Sequence, residues 1–413
     1  MKNIYRLISI AAAVLVMAGC VDKGGYVFGT LPPGVTPVEG EALQARNAVY
    51  NTDLSELTVY WRATADAKIY KGVEVSFTTL AGTQKTVKMY ANKNFPSSFD
   101  RFCVLTVNPE TVNYRCIWNN EDGEETMSEW ACVDELPIRN VTSAEVFTGY
   151  RPPKFNLVTK EGVSAEAKKA YESIVGKDVP SQEAYYTDLF LKVLSTIFYN
   201  NTDYMAFDYG SRALTTLKCI LGPMDLEGAL AYVSGDADGP LMMLGSEIME
   251  SVASGSTSME YAEFEIRGVL IHEFTHIFQM TVPYNSGDNP NYYACIEGFA
   301  DAVRCACKGV FDSSRINTAL KYQPYYDDSA ERTENGKFGP YVWQIPYGGS
   351  GFFMQWLRYY DGDFLRKLSS TMVLMKENWS MEMAVKYILG DSYNIKTLWE
   401  EYVEDAKAEN TSK

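Results

Sequence analysis

At Arg151-Pro152-Pro153 the hydrophobic period of this chain changes, and with it the kind of structure each side can form. Upstream, apolar residues alternate with polar ones. Val73, Val75 and Phe77 are spaced by Glu74 and Ser76, and Val112, Tyr114, Cys116 and Trp118 repeat the pattern. A period of two puts one face in a core and the other in water, as in half-buried strands. Leu57 to Trp61 is strand-like too, and Ala81-Gly82 and Asn119 to Gly123 supply the turns. Downstream, apolar residues recur every three to four positions over 165–174, 182–199, 263–280, 352–360, 364–375, 381–388 and 395–406, which predicts helices. Leu230 to Ser234 is a strand-like piece among them.

A chain of 413 residues exceeds what one hydrophobic core usually serves. The expected architecture is multidomain: an all-β sandwich, immunoglobulin-like or fibronectin-like, over 38–148, then a mainly helical α+β domain over 153–413. The β segment is expected to act as a spacer or a binding module. No internal repeat is present.

The first twenty residues look like an export address. Lys2 and Arg6 precede an apolar run from Leu7 to Met17, and Ala18-Gly19 lead into Cys20. The run is shorter than the roughly 20 residues that span a bilayer. Met17-Ala18-Gly19-Cys20 resembles a bacterial lipobox, so 1–20 is expected to be a cleaved leader and Cys20 the lipidated N-terminus. Val21 rather than Asp follows Cys20, which favours the outer membrane. Residues 21–37, rich in Gly and Pro, are expected to be a flexible linker. Seven of the 8 cysteines remain after Cys20, an odd number, so at least one thiol is expected to be unpaired.

The chain has only 2 histidines, and both sit in His272-Glu273-Phe274-Thr275-His276. Four residues is just over one helical turn, so both imidazoles project from one face and can share a metal. Ile266, Leu270, Phe274 and Ile277 form the apolar side of that helix. Glu273 is placed to act as general base, the pattern of a zincin. A third ligand is offered by Glu297-Gly298-Phe299-Ala300-Asp301. Glu297 is the expected metal ligand, with Asp301 holding the N–H of a ligand histidine. An alternative has Asp301 as the direct ligand. Gly298 is expected to let this helix approach the His-Glu-x-x-His helix. Two His and one carboxylate leave a fourth position open, which points to one catalytic Zn2+ per chain. Triads and Cys-His pairs need a histidine that the motif already uses.

Gly268 to Gln279, followed by Ile296 to Arg304, resembles the basic secretory protein family of plants and bacteria. Leu230 to Gly235 and Leu398 to Tyr402 match more weakly, and the similarity covers roughly 153–406. That resemblance implies a secreted zinc metallopeptidase with a zincin-like domain. It also implies a cleft-lining strand at Tyr232 and makes Tyr347, in Tyr347-Gly-Gly-Ser-Gly-Phe-Phe353, the candidate oxyanion donor. The segment Thr281 to Tyr293 between the two motif helices looks long for that family.

The expected function is hydrolysis of extracytoplasmic proteins or glycoproteins through a metal-activated water. The alternative is a zinc-containing but inactive surface lipoprotein that binds a protein or glycan; Glu273 argues against it. A formal charge of −16 excludes nucleic acid as a partner, since that binding rests on Lys and Arg. It leaves the membrane in contact through the lipid alone and favours a soluble monomer.

Overall fold

The computed structural model describes residues 43–63, 70–120, 122–200, 203–204, 214–226, 229–236, 239–283, 287 and 289–411. The expected leader, linker and Cys20 lie outside them. The N-terminal half is β-rich and builds two sheets. In the first, β1 (Leu43–Asn51) and β2 (Glu56–Ala63) form an antiparallel pair, flanked by β5 (Arg101–Leu105) and β9 (Ile138–Val141) in the order β5-β2-β1-β9. The second carries β3 (Tyr70–Thr78), β4 (Gln84–Tyr90), β6 (Asn113–Asn119) and β7 (Glu125–Met127) in the order β4-β3-β6-β7, with β8 (Ala131–Cys132) on β6. Alternation does what it predicts: Val73, Val75 and Phe77 are buried while Glu74 and Ser76 are less so.

The C-terminal half is helical with a third sheet. After Pro153 the first element is a strand, β10 (Lys154–Thr159), which helical periodicity alone did not reveal. It pairs in parallel with β11 (Thr216–Gly222), which pairs in parallel with β13 (Gly239–Gly245). Antiparallel β12 (Ala231–Asp236) closes the sheet as its edge, so the strand-like piece at Leu230 is real. Helices α1 (Ala165–Val175), α2 (Val179–Ile197), α3 (Glu247–Ala253), α4 (Met259–Phe278), α5 (Phe299–Ala306) and α6 (Asp312–Lys321) surround it. They are followed by α7 (Gly348–Leu357), α8 (Phe364–Met375), α9 (Met381–Leu389) and α10 (Ile395–Thr411). Among the described residues no helix is long and apolar enough to cross a membrane.

The two halves share one continuous core, which runs from Leu57 and Phe77 to Phe353, Trp399 and Tyr402. Polar contacts lock the seam. Glu56 of β2 accepts from Arg358 at 2.6 Å and from Arg366 at 2.8 Å. The Gly362 N–H donates to the Cys103 carbonyl at 2.8 Å, and a side chain on Gly362 would lie 2.5 Å from the Cys103 sulfur. The Tyr359 hydroxyl accepts from the Leu80 N–H at 3.1 Å.

Helix α4 starts at Ser258, whose side chain accepts from the Tyr261 N–H, and ends where Gln279 turns to extended geometry. Its second half is buried almost all round, from Ile266 through Thr275, with only Ile277 of the expected apolar face left half-buried. Phe274 is fully buried with its ring 4.4 Å from that of Phe190 on α2. Burial of such a ring contributes roughly 1.5–3 kcal/mol, so the histidine-bearing turn is anchored from behind.

All seven cysteines of the described region are free thiols.

Candidate metal centre

Helix α4 presents its two imidazoles side by side, with ring centroids 4.8 Å apart and planes at 82°. Glu297 comes from the facing segment. It sits on a π-turn, Ala294–Gly298, that runs into α5. Such widened turns are often found at functional sites. The Nε2 atom of His272 lies 3.3 Å from Glu297 Oε2, and the Nε2 atom of His276 lies 3.7 Å from the same oxygen. One ligand atom each from His272, His276 and Glu297 fit within 4.8 Å of one another.

The opposite ring nitrogens are also engaged. His272 Nδ1 lies 2.8 Å from Asp301 Oδ1. His276 Nδ1 lies 3.2 Å from Gln279 Oε1. Carboxylate and amide oxygens only accept, so both Nδ1 atoms carry a proton and both Nε2 atoms turn inward. Asp301 therefore stands behind His272, and Glu297 stands among the Nε2 atoms.

Gly298 has a different neighbour from the one expected. A Cβ there would lie 2.0 Å from Ser350 Oγ of α7, so this glycine serves the approach of α7, not of α4. Close approach on α4 is made by Gly268, where a Cβ would lie 2.4 Å from the Gly309 carbonyl. The reason is geometric: the wide turn faces α4 with Glu297, which leaves its glycine side to α7.

That packing brings Tyr347, at the N-cap of α7, over the site. Its ring lies 6.1 Å from that of His272 at an interplanar angle of 22°. Its backbone has φ 55° and ψ −137°, a conformation that costs a non-glycine residue about 1–3 kcal/mol. The residue is 54% exposed. Burial of the remainder, helped by Glu297, Asp301, Glu273 and Glu334, pushes its hydroxyl up to about 12.

Glu273 is buried beside the imidazoles and accepts a hydrogen bond from the Val233 N–H of β12. Burial is the main cause that lifts its carboxyl to about 7. Burial opposes a charge on His272, yet hydrogen bonds to Asp301 and Glu297 outweigh it and draw a proton to about 10. Burial and the neighbouring His272 push His276 down to about 4. Glu297 is raised by burial but more strongly lowered by the two imidazoles, and ends below its ordinary value. The charges that act most on these groups are one another's, a cluster of acids sharing imidazoles.

Tyr232 also lies on β12, but its hydroxyl bonds Asp225 instead of a group of the centre. Its neighbour Val233 makes the contact, through a main-chain group that carries no sequence signal. Gln279 was equally unsignalled in role, although its spacing of three from His276 puts the two on one side of a helix end. A second convergence of ligand-type side chains among the described residues is Glu56, Cys103 and Asp363, all buried, at the seam between the halves.

A family model described as BSP, peptidase of plants and bacteria, matches residues 153–402. The match takes in β10 through most of α10 and every residue of the centre, and leaves the β-rich half outside. No curated protein matches the chain.

Proposed function

The chain belongs to the BSP family of peptidases of plants and bacteria, and from that premise we propose that it is a zinc-dependent peptidase. His272, His276 and Glu297 hold one Zn2+ per chain, and Glu273 is the general base. The observation that carries this reading is the convergence of two imidazole Nε2 atoms on one Glu297 oxygen, with both Nδ1 atoms already bonded. Two imidazoles and a carboxylate are a donor set that zinc accepts while keeping a fourth position open. When bound, zinc supplies Lewis acidity at neutral pH.

The protein groups then divide the work. Glu273, poised near neutrality by burial, takes the proton of the attacking water, and the Val233 N–H fixes the direction of its carboxylate. Tyr347 keeps its proton and donates to the oxyanion that develops on the scissile carbonyl. The Gly245 N–H bonds the Leu230 carbonyl, so the main-chain groups of Ala231 and Gly235 and the carbonyl of Val233 point away from β13, beside the Val233 N–H that Glu273 occupies. That outer edge of β12, the cleft wall proposed at Tyr232, pairs with an extended peptide.

In the same reading the helical half is zincin-like, and the β-rich half is an immunoglobulin-like or fibronectin-like sandwich. The leader pattern and Cys20 support an exported lipoprotein of the cell envelope, in the outer membrane. The substrates are extracytoplasmic proteins or glycoproteins, and the acidic chain acts as a monomer.

The test is incubation of the chain from Val21 with a denatured protein mixture, beside its Glu273→Gln variant, with new termini mapped by mass spectrometry. We expect cleavage that falls about 10²–10⁴-fold in the variant and stops on chelation. Cleavage that survives both treatments would sink the mechanism.

A further inference from the structure

Gln279 ends α4, with its own N–H on the Thr275 carbonyl at 2.9 Å and its backbone already extended. Its side chain folds back into the protein, where only 9% of the residue is exposed. There the amide bridges two structures. Its Nε2 donates to the carbonyls of Ile296 at 3.2 Å and Cys295 at 3.4 Å, both on the π-turn that carries Glu297. Its Oε1 faces His276 Nδ1 at 3.2 Å.

Carbonyls can only accept, so the two on the π-turn decide which end of the amide faces them. That leaves the amide oxygen, which can only accept in turn, for His276. The imidazole must then carry its proton on Nδ1 and present a lone pair at Nε2, 3.7 Å from Glu297 Oε2. The same side chain thus reads the position of one ligand-bearing turn and sets the tautomer of a ligand on the other.

We propose that Gln279 is a positioning residue of the metal centre, which locks His276 in its metal-binding tautomer and ties the Glu297 turn to α4. This rests on the zinc reading above. Asp301 does the first of these tasks for His272, as an anion at 2.8 Å on α5. Gln279 does it as a neutral group and adds the tie between segments. A merely structural helix end needs the backbone bond to Thr275 but none of the three side-chain bonds.

The experiment compares metal-stripped wild type with Gln279→Met, which keeps the length and apolar bulk of the side chain. Zinc affinity is measured by competition with a chromophoric chelator, the visible absorption of the Co2+-loaded protein is recorded, and the metal-free Tm is taken. We expect zinc affinity to fall about 10–100-fold, the cobalt bands to shift, and the metal-free Tm to stay within a few degrees. Equal affinity and superimposable cobalt spectra overturn the proposal. Wild type that binds no zinc overturns the metal reading and this inference with it, whereas tight binding by both proteins overturns the inference alone. Should Gln279→Met fail to fold, NMR of Co2+-loaded wild type in water decides. Two exchangeable, strongly shifted imidazole N–H signals are expected, and a single one would refute the role of Gln279.

Discussion

Among the described residues, two clusters bring ligand-type side chains to within 4.8 Å, and they differ in where the positive charge comes from. At the seam, Glu56 lies between Arg358 and Arg366, and Asp363 accepts from Arg366 at 2.8 Å with Arg101 at 3.6 Å. Their carboxylates face guanidinium groups, so the cluster is complete as folded. At the centre on α4, Glu297 and Asp301 face the imidazoles of His272 and His276, and Glu273 lies buried beside them. Proximity of carboxylates and a thiol or imidazole is therefore not what distinguishes a reactive site. The chain's own cations close one cluster; in the other, the zinc ion that we propose takes their place.

The comparison breaks most visibly at Glu56. Replacement by Ala takes the carboxylate from buried Arg358 and one of two from buried Arg366, and we expect a loss of about 3–5 kcal/mol in denaturant unfolding. Zinc per folded chain should be unchanged; a proportionate fall in zinc would merge the clusters into one unit. Chelation is the reciprocal test. With free zinc at about 100 times its dissociation constant, removal should cost roughly 2.7 kcal/mol, seen as a lower Tm that zinc restores. An unchanged Tm would mean that the α4 cluster is complete without an ion.

The smallest effect concerns acid. Burial pushes the Asp363 carboxyl up, but Arg101, Arg366 and Lys367 hold it below its ordinary 3.8. Its contribution is present above that value and lost as pH falls through the lower folded-state value, where the native carboxylate must protonate. Stability measured from pH 5 to pH 2 should fall with one fewer proton of steepness in Asp363→Asn than in wild type. Identical slopes would show that the guanidinium groups do not hold this carboxylate.

Much of the fold was legible in local pattern. Strands at Val73 and Tyr114 and helices such as Phe364–Met375 follow from residue spacing, because period alone decides which side chains share a face. Strand β10 was not legible, since Lys154 to Thr159 is a short segment whose pairing partner lies some sixty residues further on. The outlook was similar for Gly298. Its small size predicts close approach, but the partner helix begins at Gly348, far along the chain.

At the centre the division is sharper. Helical geometry joins His272, Glu273 and His276 within a single turn or so, and that relation needs nothing beyond neighbouring residues. The Val233 N–H on Glu273, the Gln279 amide between His276 and the Glu297 turn, and the strained Tyr347 over His272 are contacts between distant segments. The charge balance belongs with them. Acidic residues are plain in the sequence, but whether an arginine neutralises one depends on which helix packs against which strand. Spacing along one helix sets which groups can act together, and long-range packing decides their tautomers and their protonation.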